Sequence, residues 1–495
     1  MSQISARVQN LPASPFVIFG ALGRKCANVI SFASGSPGHG LIPGVQSAIY
    51  QARSVGISLY RAPHYGSPKA RLDAAQYFQK RYGLEFEPSQ INITSGFTHL
   101  FYCVCTTILN PGDTVLLIEP IFPQYQQPIE LAGGKRVIIP TKEEDYWKPK
   151  PGAIKTAFEN YPDAKMIVFN YPNNPSGAVL TEADWNAIID TLMAEIDRRV
   201  AVGGTPLLVL SDDAYVPLFH HQDSHEYATL GATLQKRLSL AQSSEKYSLE
   251  QLMESFLIIC SLSKEGAAGL LVGMGATKNT KLLEFLRTTQ KAMIISSNFL
   301  GEIALSAIIQ PDPHNTLKWA GKLYASRLNQ LALGLNSIFE KHGLLKVFNY
   351  QPASFIPPAG MYLYTNFSHL KGLKVSVDFL ERIRILVEGK FGFQSLFCQN
   401  QINTNLDVAL WLLLQAKVNT VPTEKPKDCY VRFSIGLPQA IIEISPQAID
   451  RQKTEEKGQK LISQALNQID QSLQELIPFQ YEQDLPQGTN CSVNI

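Results

Sequence analysis

The stretch Phe256–Lys264, FLIICSLSK, decides how the chain is read. An apolar run rich in isoleucine reads as a buried strand, and here it breaks off into serines and a lysine. Lysines ordinarily lie on solvated faces. Lys264 is therefore either a surface residue that landed among serines or a nucleophile held at a strand end.

Comparable runs lie to either side: DTVLLIEP (113–120), GGKRVIIPT (133–141), AKMIVFNYP (164–172) and TPLLVLSDDAYV (205–216). Helical patterns separate them, such as RLDAAQYFQKRYG (71–83), which closes on a glycine, and EADWNAIIDTLMAEIDRRV (182–200). Short apolar strands alternating with helices predict an α/β fold, a mostly parallel sheet covered on both faces. Ligands of such sheets gather at the carboxyl ends of the strands.

Residues from about 320 change character. A long helix, WAGKLYASRLNQLALGLNSIFEKHG (319–343), leads to the strand-like GMYLYTNF (360–367) and CYVRFSIG (429–436). The expected organisation is a segment 1–50 packing with a small domain, a large domain over 51–320, and a small α+β domain over 321–495. Polar insertions are expected at about 219–253 and about 396–428, and the tail QYEQDLPQGTNCSVNI reads as disordered.

Composition bounds the partners. With 44 Lys+Arg against 42 Asp+Glu among 495 residues, the net charge is +2. No dense basic cluster points to nucleic acid. No run approaches the roughly 18 apolar residues of a membrane span, and the start MSQISARVQNLPASPF has no apolar signal core. The 7 cysteines, at 26, 103, 105, 260, 398, 429 and 491, are scattered without a CxxC pair and read as reduced thiols of a cytoplasmic protein. His220 and His221 in FHHQDSH read as a solvated loop, and no metal is expected.

Taken singly, the polar strand ends are ordinary. NNPSG (173–177) is a turn by composition, Asp212 in SDDAY suits a helix cap, and Phe122 in EPIFPQY suits a core. Taken in order, Asn174, Asp212, Tyr215 and Lys264 each follow a predicted strand. Arg432 lies inside an apolar strand, where a guanidinium needs an anionic partner. These residue types suit pyridoxal 5'-phosphate: an amine for the aldehyde, a carboxylate for the pyridine nitrogen, Tyr and Asn for the ring oxygen, and an arginine for a substrate carboxylate.

From about Val29 to Gly436 the chain resembles the class I/II aminotransferases, fold type I pyridoxal phosphate enzymes. NNPSG resembles their Asn-Pro-Thr/Ser-Gly signature, SDDAY their Asp-x-x-Tyr, SLSK their Ser-x-Ser-Lys, and YVRFSIG their carboxylate-binding strand. SGSPG (34–38), YGSPKARLDAAQYF (65–78), ITSGFTHL (93–100) and NPGDTVLLIEPIFPQY (110–125) match further family segments in the same order.

The resemblance implies an aminotransferase-like large domain with a seven-stranded sheet and a smaller α+β domain. It implies that Lys264 is the Schiff-base lysine and proton shuttle, and that Asp212 pairs with the pyridinium. Tyr215 and Asn174 would bind the ring oxygen, Phe122 would stack on the ring, and Arg432, with Asn174, would bind substrate. Gly96, Phe97 and Thr98, with Ser261 (the stronger of the two serines) and Ser263, would hold the phosphate. Tyr60 or Tyr65 would reach the neighbouring subunit's phosphate, and Ser297 or Asn298 would cross the same interface of a homodimer. The implied activity is transfer of an amino group from an amino acid to a 2-oxo acid. A lyase, decarboxylase or cyclase would use the same residues, and a non-enzymatic cofactor-binding protein is the reading from another class. In one place the chain departs from the family. Leu271, in GLLVG (269–273), stands where an arginine that neutralises the phosphate is expected, and the loop before it is one residue short.

Overall fold

The computed structural model describes residues 3–9, 11, 14–53, 62–220, 227–345, 354–387, 396–423, 428–436 and 450–476. Tyr60, His221 and the expected disordered tail lie outside them. The described strands are β1 (Ile30–Ser31), β2 (Ile91–Thr94), β3 (Thr114–Ile118), β4 (Lys135–Ile139), β5 (Met166–Asn170), β6 (Leu208–Asp212), β7 (Phe256–Ser261), β8 (Gly273–Ala276), β9 (Tyr362–Asn366), β10 (Val418–Asn419), β11 (Val421–Pro422) and β12 (Tyr430–Ser434).

Seven of these form one sheet in the order β2-β8-β7-β6-β5-β3-β4. Only β8 runs against its neighbours; the others point one way. Every residue of β5, β6 and β7 is buried, as a sheet covered on both faces requires. Side chains alternate between two cores. Phe256, Ile258 and Cys260 of β7 join Ile167, Val209 and Trp185 on one face. Leu257 and Ile259 join Val168, Leu210 and Leu286 on the other. Because the strands are parallel, Thr94, Ile118, Asn170, Asp212 and Ser261 all end at one edge.

The chain divides into two compact units: Met1–Pro12 with Ser36–Lys322 and Pro358–Gly360, and Ala13–Gly35 with Leu323–Pro357 and Met361–Ile495. Of the segment 1–50 expected with the small domain, only Ala13–Gly35 falls in the second unit, and the later boundary lies at 322 where the sequence suggested 320, with Pro358–Gly360 returning to the first unit. In the second unit β11-β12-β9 form an antiparallel sheet and β1 pairs with β10 in parallel.

Both expected insertions look different in the structure. Within 219–253 lie the helices Leu230–Leu240 and Ser243–Glu254. Their Leu230, Leu234, Leu249 and Leu252 enter the core, and the polar composition belongs to the outer faces. The 396–428 stretch contains the helix Asn405–Leu414, in which every residue but Leu406 is buried. Thr404 and Asp407 cap each other at its start: the Asp407 N–H donates to Thr404 Oγ1 at 3.1 Å, and the Thr404 N–H to Asp407 Oδ2 at 2.9 Å. The polar residues that suggested an insertion flank this apolar core. Cysteine pairing also departs from expectation. Cys26, Cys103, Cys105, Cys260 and Cys429 are free, but Cys398 is disulfide-bonded; pairing depends on where the fold brings thiols together, which spacing does not reveal.

Trp411, fully buried in that helix, discriminates the two pictures. Trp411→Ala is expected to cost about 3–5 kcal/mol in a urea unfolding titration; a solvated insertion would show almost no change.

Candidate active site

Past Ser261 the chain drops into the short turn Leu262–Lys264. The Leu262 N–H donates to Val272 O at 3.1 Å, and the N–H groups of Glu265 and Ala267 both donate to Leu262 O, at 3.0 and 3.2 Å. Ser261 Oγ accepts the Ser263 N–H at 3.2 Å and lies 3.0 Å from Val272 O. Ser261 thus builds the turn, and Ser263 is the less buried of the two serines. Lys264 Nζ stands 5.1 Å from the centre of the Tyr215 ring.

Asp212 closes β6, beside β7, and is 2% exposed. Its Oδ2 accepts from Tyr125 OH at 2.5 Å and its Oδ1 from the Ala214 N–H at 3.2 Å. Burial pushes this carboxyl up to about 7, against the pull of Tyr125, the Ala214 N–H and the Lys264 charge. Asn174 Nδ2 donates to Tyr215 OH at 3.1 Å. Asn170 ties these together: its Oδ1 accepts the Asn174 N–H at 2.8 Å, and its Nδ2 donates to Asp212 O at 3.1 Å. Phe122 packs edge-on to Tyr125 with ring centres 5.4 Å apart, and against Phe97 at 6.4 Å.

Gly96 caps the helix Phe97–Ile108 with φ +85°, a conformation that favours glycine. The first N–H groups of a helix have no partner within it, so Gly96, Phe97 and Thr98 present an anion-binding end. Thr98 Oγ1 also donates to Gln124 Oε1 at 3.3 Å. A Cβ on Gly96 would meet Leu271 Cδ2 at 3.9 Å. Leu271 therefore lies against this turn, 56% exposed and with φ +48°.

The remaining candidates lie elsewhere. Tyr65 packs its ring under Arg71 and Arg287, at 4.9 and 4.5 Å, and none of these contacts reaches Lys264. Ser297 donates to Glu302, while Asn298 caps the helix Phe299–Ile308 and donates to Leu270 O. His220 Nε2 is bonded to Gly360 O at 2.8 Å, and the described residues hold no cluster of metal-ligand type. Arg432 belongs to the second unit, is 2% exposed, and donates from Nη2 to Ala33 O at 2.9 Å.

Tyr125, Asn170 and Glu265 escaped the sequence reading. Tyr125 stood in the quoted EPIFPQY, three residues past Phe122. Glu265, next to the lysine, is 0% exposed. It accepts from Tyr77 OH and from Arg81 Nη2, the latter at 3.2 Å, both on the helix Pro68–Tyr82. Gly266 follows with φ +87°, and a Cβ there would lie 1.8 Å from Gly40 O. The lysine's own backbone is thereby fixed from two sides.

A family model, aminotransferase class I and II, matches residues 27–402. The chain belongs to this family. It is 31% identical over 194 residues to a probable aspartate/prephenate aminotransferase of Thermus aquaticus, covering 38% of this chain and 50% of that one. It is 28% identical over 250 residues to an aspartate aminotransferase of Bacillus subtilis, covering 50% and 56%. The chain thus spans about half the length of these curated relatives. In fold it is similar to the aspartate aminotransferase of Thermus thermophilus solved with maleate, at TM-score 0.71 and 19% identity, covering 95% of this chain and 100% of that one.

Class I and II aminotransferases are pyridoxal phosphate enzymes, and the residues at the sheet edge fit that group. A buried carboxyl raised to about 7 is stabilised as its anion by a cationic ring nitrogen. The Lys264 amine, the Asn174–Tyr215 pair, the Phe122 ring and the helix start at Gly96 are of the chemical types such a cofactor would need.

Burial likewise raises Asp213 to about 7, against the pull of Ser211 Oγ, which donates to its Oδ1 at 2.5 Å, and the Asp212 charge adds to the rise. Folded chain freed of cofactor then keeps protons that the unfolded carboxyls, near about 3.9, have released. This contribution to stability is full below about pH 4 and is lost as pH rises through about 7. Urea midpoints of the cofactor-free protein should therefore fall between those limits, and Asp213→Asn should make the fall shallower. An equal slope in the variant would show that Asp213 titrates normally.

Proposed function

We propose that this chain is a pyridoxal phosphate-dependent aminotransferase that moves the α-amino group of an amino acid to a 2-oxo acid. The observation carrying this reading is that the buried Asp212 ends β6 while Lys264 lies in the turn that leaves the adjacent parallel strand β7, its charge acting on that carboxyl. Bound pyridoxal phosphate supplies an aldehyde and an electron-accepting ring. Lys264 Nζ would be the nucleophile that holds the cofactor and the base that takes the proton from substrate Cα. Asp212 keeps a negative charge at the ring nitrogen. Tyr215 and Asn174 hold the ring oxygen, and Phe122 covers the ring face. The helix start at Gly96–Thr98, with Ser263 and Ser261, receives the phosphate. Arg432 binds the substrate carboxylate, and Asn174 is a further substrate contact. The reading includes a cytoplasmic homodimer in which Tyr65 faces the neighbouring subunit's cofactor. Family membership and the names of the relatives favour transamination over a lyase, decarboxylase or cyclase, and the presence of a lysine, an aspartate, a tyrosine and an arginine of these motifs in the chain favours an enzyme.

Borohydride reduction of the loaded protein followed by peptide mass analysis should mark Lys264. Lys264→Ala should lose the mark and roughly 10²–10⁴-fold of turnover while keeping its unfolding midpoint. A marked lysine elsewhere would overturn the assignment. Asp212→Ala should lose turnover far more than cofactor content; equal losses would make Asp212 structural. Conversion of the cofactor to its amine form by single amino acids separates transamination from the other chemistries.

A further inference from the structure

We propose that Phe16 is a positioning residue for Arg432, so that the helix Pro15–Lys25 forms part of carboxylate recognition. The inference rests on Arg432 as the carboxylate-binding residue. Arg432 sits at the centre of β12, paired with Val421 and Tyr364. Tyr362 pairs with Ser434, two residues along, and so shares the face of Arg432. The guanidinium carbon stands 4.3 Å from the centre of the Tyr362 ring and 4.4 Å from that of Phe16. With Nη2 donating to Ala33 O at 2.9 Å, two rings and one carbonyl fix the plane and rotation of the group. A guanidinium whose plane and rotation are fixed meets a carboxylate in one orientation, as two-pronged binding requires.

Tyr362 arrives with its strand, but Phe16 is delivered by a separate element. Its helix docks closely: Asn419 Nδ2 donates to Phe19 O at 3.0 Å, and a Cβ on Gly23 would fall 2.2 Å from that Nδ2. Phe16, Phe19 and Gly23 share one helical face, so the docking that needs glycine at 23 also sets the ring at 16 over the arginine. Phe16 is only partly buried. Filling that space asks for any apolar residue, whereas a ring face toward a cation asks for an aromatic one.

The test titrates the loaded full-length protein with L-aspartate, L-alanine and L-phenylalanine, which share the α-carboxylate and little else. Phe16→Leu should raise KM for all of them by a similar factor, roughly three- to tenfold, with a smaller fall in kcat. Phe16→Tyr, which restores a ring, should recover most of that loss. Arg432→Ala should raise all the constants by roughly tenfold or more. If Arg432→Ala does so but Phe16→Leu matches Phe16→Tyr, or alters one amino acid alone, the positioning role is overturned and the reading of Arg432 stands. If Arg432→Ala changes nothing, that reading falls and the positioning role with it. Melting temperatures check folding, and Phe16→Met, of similar bulk without a ring, decides the matter if the leucine variant does not fold.

Discussion

A parallel strand buried on both faces has no place for a polar side chain until it ends. Every residue of β5, β6 and β7 is buried, and the last members of these strands, Asn170, Asp212 and Ser261, are polar. All of them end at the same edge. The ladder between β6 and β7 sets Asp212 opposite Ile259, so the turn bearing Lys264 leaves the sheet one strand away from the carboxylate. The site is a consequence of that register. Slipping β7 by one residue would turn its side chains to the wrong cores and carry the lysine off with them.

Buried charge is the cost of this arrangement, and the molecule confines it to a few places. Asp212 and Asp213 both resist ionisation, while Glu265 is balanced by Arg81 and held by Tyr77. A carboxylate buried without a partner would be strongly destabilising. Glu265 gains a structural use from its pairing: it ties the residue after the lysine to the helix Pro68–Tyr82. Gly266 completes the tie by allowing Gly40 to approach where any side chain would collide. Rigidity at Lys264 thus comes from groups that need never meet a substrate.

Sequence legibility followed the same division. The alternation of strands and helices and the order of Asn174, Asp212, Tyr215 and Lys264 were readable because they depend on local pattern, while the seven strands of the sheet came with the family resemblance. Tyr125 was in plain view, but its bond to Asp212 spans 87 residues. Glu265 beside a lysine looks like a surface pair until Tyr77 and Arg81 are brought to it across nearly 190 positions. The helix Asn405–Leu414 was hidden for a different reason. Polar neighbours diluted its apolar run, and Asp407, which reads as a surface residue, is buried as a cap.

Leu271 has its own logic. Its side chain lies by Gly96, at the turn that faces the phosphate under the proposed function, yet it brings dispersion and no charge. A charge-assisted contact is worth roughly 1.5–3 kcal/mol, against about 0.5–1.5 for a neutral hydrogen bond and up to about 1 for a helix end. Several such dipoles can match one arginine in energy, but they are directional where a charge is not. Helix-end N–H groups and hydroxyls hold an anion only if the turn stays in register. The close passage of Gly273, whose Cβ would fall 2.5 Å from the Gly96 carbonyl, supplies that constraint. The demand for precision at this turn therefore falls on the glycines at 96 and 273.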